Sequence, residues 1–375
     1  MVRHKLLQQY HARVALALCI GLVLIVAHHA DQPLLSYAFL PQIGLMILVT
    51  TVLWVLATNW KSLRTEGLGP KAIWVPLAVI AGSGVLRVLV SPDKTTFAGA
   101  LFLVSMFGLY VIARRYGERA LSWFMPLVIV GAITIVVQAL IRQTTGNSGL
   151  FSEYATAAHF LVFGWIVSPQ KHQWWLSAVV VTGLFFSGAP EAIFYCVVGG
   201  IVILARRDYS RKILAPIGAV LVLLLVCTPL GLTEAYWGRS VSMVTNAQAA
   251  LADDTLSVEE RDKALNEATN GRWLTGWRLH RPMQPLGYGI HLTHHYREIP
   301  HNIAVLVTDQ LGPVAAVAWL AVIIGGIRKT KWKYGFLVLL LFGVFQPYVW
   351  TKMAPWLWAM AGASTTSQAS GYVFR

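Results

Sequence analysis

Charge is what this 375-residue chain has least of: Asp, Glu, Lys and Arg make up 12% of it, against 56% hydrophobic residues. A soluble domain carries about twice that charged fraction. A water-soluble enzyme is therefore excluded, and a chain that faces lipid is expected, in line with a mean hydropathy of +0.60. Acids are scarcer than bases, 16 against 30. In a membrane chain such a surplus belongs first to cytoplasmic loops and anionic lipid, so a lipid bilayer is the expected partner and nucleic acid is not. Cysteine is also rare. Cys19, Cys196 and Cys227 each lie in an apolar run without ligand spacing or histidine neighbours, which excludes a disulfide framework and a thiolate zinc site. The first apolar run, Val14 to Ala27, leads into His28, His29 and Asp31 with no small-x-small cleavage signature, so it is expected to stay as the first span.

Apolar runs of spanning character occur near Val14 to Ala27, Leu34 to Leu56, Ala72 to Val90, Phe97 to Ala113, Leu121 to Ile141 and Tyr154 to Val167. Others lie near Trp174 to Phe186, Ala189 to Ala205, Ile213 to Leu230, Ile303 to Ile327 and Tyr334 to Val349, with a weaker one at Ala354 to Ala363. A helical span takes about 20 residues, so the expected fold is an all-α polytopic membrane protein with about 11–12 transmembrane helices. Lys and Arg gather in alternate loops, among them Lys61/Arg64/Lys71, Arg114/Arg115/Arg119, Arg206/Arg207/Arg211/Lys212 and Arg328/Lys329/Lys331/Lys333. The positive-inside rule then puts the N-terminus in the cytoplasm and the loop 231–300 outside, as one large periplasmic loop with short helices. The chain divides into transmembrane helices over 1–230, this loop, and C-terminal transmembrane helices over 301–375.

The outer loop breaks the charge rule. It carries Arg239, Arg261, Lys263, Arg272, Arg278, Arg281 and Arg297, with His280, His291, His294 and His295, and His301 follows it. Any one of these arginines read alone is a solvated charge. As a group facing outward beside a membrane, they suit the oxygens of a lipid-linked phosphate or diphosphate, which a guanidinium grips with two donors. No ATP is available outside, so a reaction there needs a donor already activated. From Asn246 to Asn270 the loop is acidic and reads as an exposed amphipathic helix. His291-x-x-His294-His295 has one nearby acid, Glu298, and makes a poor metal set. Trp174-Trp175 and Trp356/Trp358 read as an interfacial aromatic belt.

Ordered motifs follow the acidic stretch: Gly271-Arg272 with Trp277, then Pro285-Leu286-Gly287-Tyr288-Gly289, then His301-Asn302 with Leu306, then Leu311-Gly312. Their order and spacing resemble the signature of the O-antigen ligase and polymerase superfamily, bacterial enzymes that move glycans from undecaprenyl diphosphate. Ser91-Pro92-Asp93, Gly149-Leu150-Phe151-Ser152 and Arg239-Ser240 fit the same pattern. One element departs from it. The family's Ser-Arg-Gly-Ala is replaced by Ser187-Gly188-Ala189-Pro190-Glu191, so the arginine there is missing. Either Arg142 or Arg239 supplies its contact, or donor and acceptor are handled differently. Glu191 is a salt-bridged acid or a functional one, and Arg87 a snorkelling cation or a substrate contact.

The resemblance implies an inner-membrane glycosyltransferase that works without metal or cofactor. An acceptor hydroxyl, on lipid A core or on a growing glycan, attacks the anomeric carbon of an undecaprenyl-diphosphate-linked glycan. In that scheme His301 accepts the proton, Arg272 clamps the diphosphate, and Arg239, Arg278, Arg281 and Arg142 assist. Asn302 orients His301 or caps the next helix, and Trp277, Gly287, Gly289, Arg87 and Glu191 support the site. A transporter of the same lipid-linked substrate would show internal repeats, and none is visible.

Overall fold

A computed structural model describes residues 2–26, 40–142, 146–151, 154–167, 174–188, 197–199, 234–269, 278–279, 281–290, 300–330, 332–345 and 354–365. All regular structure among them is helix: α1 (Val2–Val26), α2 (Leu40–Glu66), α3 (Lys71–Val90), α4 (Lys94–Tyr116), α5 (Glu118–Ser122), α6 (Met125–Arg142), α7 (Tyr154–Val167), α8 (Trp174–Ser187), α9 (Glu234–Ala252), α10 (Val258–Ala268), α11 (Ile303–Leu311), α12 (Pro313–Lys329), α13 (Lys333–Phe345) and α14 (Ala354–Ser364). Four helical stretches, Pro41–Lys61, Lys71–Val90, Thr96–Tyr116 and Glu118–Arg142, are long and apolar enough to cross a hydrocarbon core. The expected spans at 189–205 and 213–230 lie outside the described residues.

Helix surfaces explain why lipid is the solvent. On α12, Ala315, Ala318, Trp319, Val322 and Ile323 are buried, yet the opposite face presents Val314, Val317, Leu320 and Ile324 outward. A helix apolar on both faces places one of them against hydrocarbon. Without a hydrophobic drive between helices in lipid, close packing does the holding, and small residues permit it. Gly21 on α1 and Gly44 on α2 meet so closely that a Cβ on Gly44 would stand 2.6 Å from the Gly21 carbonyl.

The structure corrects three sequence expectations. The first concerns two tryptophans of α14, which packs against α4, α5, α7 and α12. Its Trp356 and Trp358 are not an interfacial belt: their rings are fully buried, against Phe124 at 5.1 Å and Phe107 at 6.3 Å. Second, the acidic stretch is two helices. Asp253 accepts from the Thr255 amide and hydroxyl, which ends the run after α9, and Ser257 with Glu260 forms a capping box that starts α10.

Glu260 makes the start of α10 sensitive to acid. The Ser257 hydroxyl and then its amide hold the Glu260 carboxylate below its ordinary range. The cap is therefore complete above the ordinary carboxylate pKa and is lost as pH falls through the lowered one. Amide-exchange protection in α10, corrected for intrinsic rates, is expected to fall below about pH 4. Glu260→Gln is expected to remove that dependence.

The third correction bears on the site. Ile303 to Ile327 reads as one span, but it is two helices, α11 and α12, broken at Gly312. Ile303 lies against Gly343 of α13 beside the Trp319 ring. In one straight helix Ile303 and Trp319 would stand about 24 Å apart, so α11 folds back along α12. Gly325 of α12 rests on Ala72 at the start of α3. The other end of α12, the break, therefore comes to the Arg87 end of α3, near the turn into α4.

Candidate functional site at the broken helix

Why the helix breaks there is local chemistry. Pro313 has no N–H, so the Asp309 carbonyl, four residues earlier, has no helical partner. Gly312 supplies the backbone turn, at φ 86°. The segment Pro285-Leu286-Gly287-Tyr288-Gly289 fills the gap: the Tyr288 amide donates to the Asp309 carbonyl at 2.9 Å and the Gly289 amide to the Gln310 carbonyl at 2.8 Å. Tyr288 thus replaces the donor that Pro313 lacks.

Glycine is required at this seam. Gly287 has φ 60°, and a Cβ on it would lie 2.3 Å from the Gln310 carbonyl carbon; one on Gly312 would lie 1.9 Å from the Pro285 oxygen. Two short motifs some twenty residues apart in sequence are therefore two sides of one joint. Ile290, the next residue, is buried against Gly99 of α4, and Gly289 sits on Thr96 at the head of the same helix. Asp93 caps α4 by accepting from the Thr96 amide at 2.8 Å.

Charged groups converge on the tyrosine carried by this loop. The Arg281 guanidinium lies over the Tyr288 ring, 4.0 Å from its centroid, and that of Arg87 lies 6.0 Å from the same centroid. Arg87 also donates to Gln284 Oε1 at 3.3 Å, and the Tyr288 hydroxyl donates to the Pro282 carbonyl at 2.9 Å. Arg281 pairs with Asp309 at 3.8 Å; the Asp309 side chain is 1% exposed and that of Arg281 36%. The group is two cations at one aromatic ring, with a buried carboxylate beside Arg281.

His301 and Asn302 are elsewhere. Asn302 is the N-cap of α11, its Oδ1 accepting from the amides of Ala304 at 2.9 Å and Val305 at 3.2 Å, which is one of its two expected roles. His301 directly precedes it, at the opposite end of α11 from Asp309, about 12 Å away along the helix.

Of the residues expected from sequence, Arg87, Arg281, Gly287 and Gly289 come together. Arg278 is exposed near them in sequence, and Arg142 is exposed at the end of α6. Arg239 lies on α9, without a described side chain. Arg272, Trp277, Glu191 and the histidines at 291, 294 and 295 lie outside the described residues. Comparison with family models, curated proteins and solved structures finds no match for this chain. Its function rests on its own residues.

Sequence reasoning missed Asp309, Tyr288 and Gln284. The signal for Asp309 was present: it is the lone acid in an apolar run, and carboxylates there are costly enough to mark function or pairing. Gly312-Pro313, glycine before a proline at a first helical position, likewise marks a break.

Proposed function

We propose that this chain is a membrane glycosyltransferase of the O-antigen ligase type, moving a glycan from undecaprenyl diphosphate to an acceptor sugar hydroxyl of lipid A core. It does so at the periplasmic face of the bacterial inner membrane, through about 11–12 spans and one large outer loop. A polymerase acting on the same donor is the alternative within this reading. The observation that carries it is the convergence of Arg87 and Arg281 on Tyr288 at the broken helix. That end of α3 and α12 is the one the Lys and Arg pattern assigns to the outside. Fixed guanidiniums there stabilise the charge that develops on a departing diphosphate.

In this reading Arg272 and the stacked arginines hold the diphosphate, and His301 takes the proton of the attacking hydroxyl. A broken hairpin also occurs in transporters, where it lines a substrate path, and this favours transport of the same lipid-linked glycan as a second reading.

A deletion strain separates these readings on a lipopolysaccharide gel. Loss of all long chains from the core, with carrier-linked polymer accumulating on the outer face, is the ligase result; a single repeat on the core is the polymerase result. Polymer trapped on the cytoplasmic side supports transport. Unchanged glycan overturns all three. Complementation with His301→Ala or Arg272→Lys is expected to leave less than about a hundredth of the activity, and full activity in both variants would sink the mechanism.

A further inference from the structure

Asp309 has no part in the reaction just described, yet its carboxylate is buried beside the arginines that reaction needs. Burying a carboxylate is costly unless a cation stays with it. Two guanidiniums, those of Arg87 and Arg281, meet at the Tyr288 ring, and the carboxylate stands beside the second of them. At 3.8 Å, the separation of Arg281 from Asp309 exceeds hydrogen-bond reach. Such a contact is purely Coulombic and weaker than a bidentate guanidinium–phosphate pair. Arg281 is also the more exposed partner, so an incoming anion can reach it without entering the core.

Resting on the glycosyl-transfer reading, we propose that Asp309 is a positioning residue: it holds Arg281 over Tyr288 as a stand-in counter-ion until the donor's diphosphate displaces it. Stacking on Tyr288 keeps the guanidinium plane in place through the exchange, so only the counter-ion changes. After transfer, the carboxylate competes with the free diphosphate product for Arg281 and speeds its release. The device explains why a buried acid sits in an anion site, where it weakens binding.

Inorganic pyrophosphate is the probe, titrated calorimetrically into the full chain in phosphatidylcholine nanodiscs. Asp309→Asn removes a competing charge but leaves no buried ion, since Arg281 can take water; it is expected to bind pyrophosphate about tenfold more tightly. Asp309→Glu, which keeps the charge, is expected to stay close to wild type and serves as the control on folding. Adding Arg281→Ala to Asp309→Asn is expected to abolish the gain. A purely structural Asp309 predicts equal or weaker binding by Asp309→Asn, and that result overturns the proposal. Phosphatidylglycerol nanodiscs are expected to leave the affinity nearly unchanged; competition by that lipid as strong as by pyrophosphate would make the anion a headgroup and overturn it as well. In glycan transfer, Asp309→Asn is expected to lower both the donor KM and kcat. Tighter pyrophosphate binding by Asp309→Asn, in a protein whose wild type transfers no glycan, would overturn the enzyme reading and leave the ion-pair exchange standing.

Discussion

Gly312→Val is expected to abolish function and to destabilise the chain by more than about 4 kcal/mol. Two costs add. The backbone there is at φ 86°, a conformation that a β-branched residue rarely adopts. A Cβ would also lie 1.9 Å from the Pro285 oxygen, and backbone cannot move aside as a flexible side chain does. Relief requires undocking the Gly287–Gly289 loop, which deprives the Asp309 and Gln310 carbonyls of their donors and costs about 1–3 kcal/mol for each buried group. Gly287→Val is expected to act the same way from the other side of the joint. The measurement is unfolding of the purified protein in detergent, with proteolysis within 281–290 as the local readout. A variant as stable as wild type, with its loop still protected, would show that the joint does not hold the site.

Arg281→Ala is expected to cost about 3 kcal/mol, at the low end for breaking a buried ion pair because Arg281 is partly solvated. Most of that loss comes from the buried Asp309 carboxylate left without its Arg281 cation, and not from the missing arginine packing. The double variant Arg281→Ala with Asp309→Asn is therefore expected to regain more than half of it, since neither partner then remains charged. Arg281→Lys is expected to keep the fold but lose the flat stacking on Tyr288. Additive losses in the double variant would mean that the two residues act independently, and the cluster would then need another account.

How much was legible in advance differs between periodicity and packing. The runs read as spans at Tyr154 to Val167 and Trp174 to Phe186 are helical, as α7 and α8, because both are apolar along most of their length. Ile303 to Ile327 was misread for the same reason. An apolar run records solvent preference and not direction, so a reversal at Gly312-Pro313 leaves hydropathy untouched. Trp356 and Trp358 failed likewise, since burial in protein and burial at a lipid interface select the same residue type.

By itself the sequence determined that the chain lives in lipid, through the scarcity of charge, and which loop gathers cations, through the alternation of Lys and Arg. It also singled out Gly287, Gly289 and Leu311-Gly312 as parts of ordered motifs. Tertiary structure alone decided that these glycines belong to one joint, that His301 lies at the far end of α11 from Arg281, and that Asp309 is Arg281's counter-ion. Each of these depends on helices meeting across long stretches of chain. Charges and backbone donors choose partners by distance in space, and sequence order carries no distance once a helix has turned back on itself.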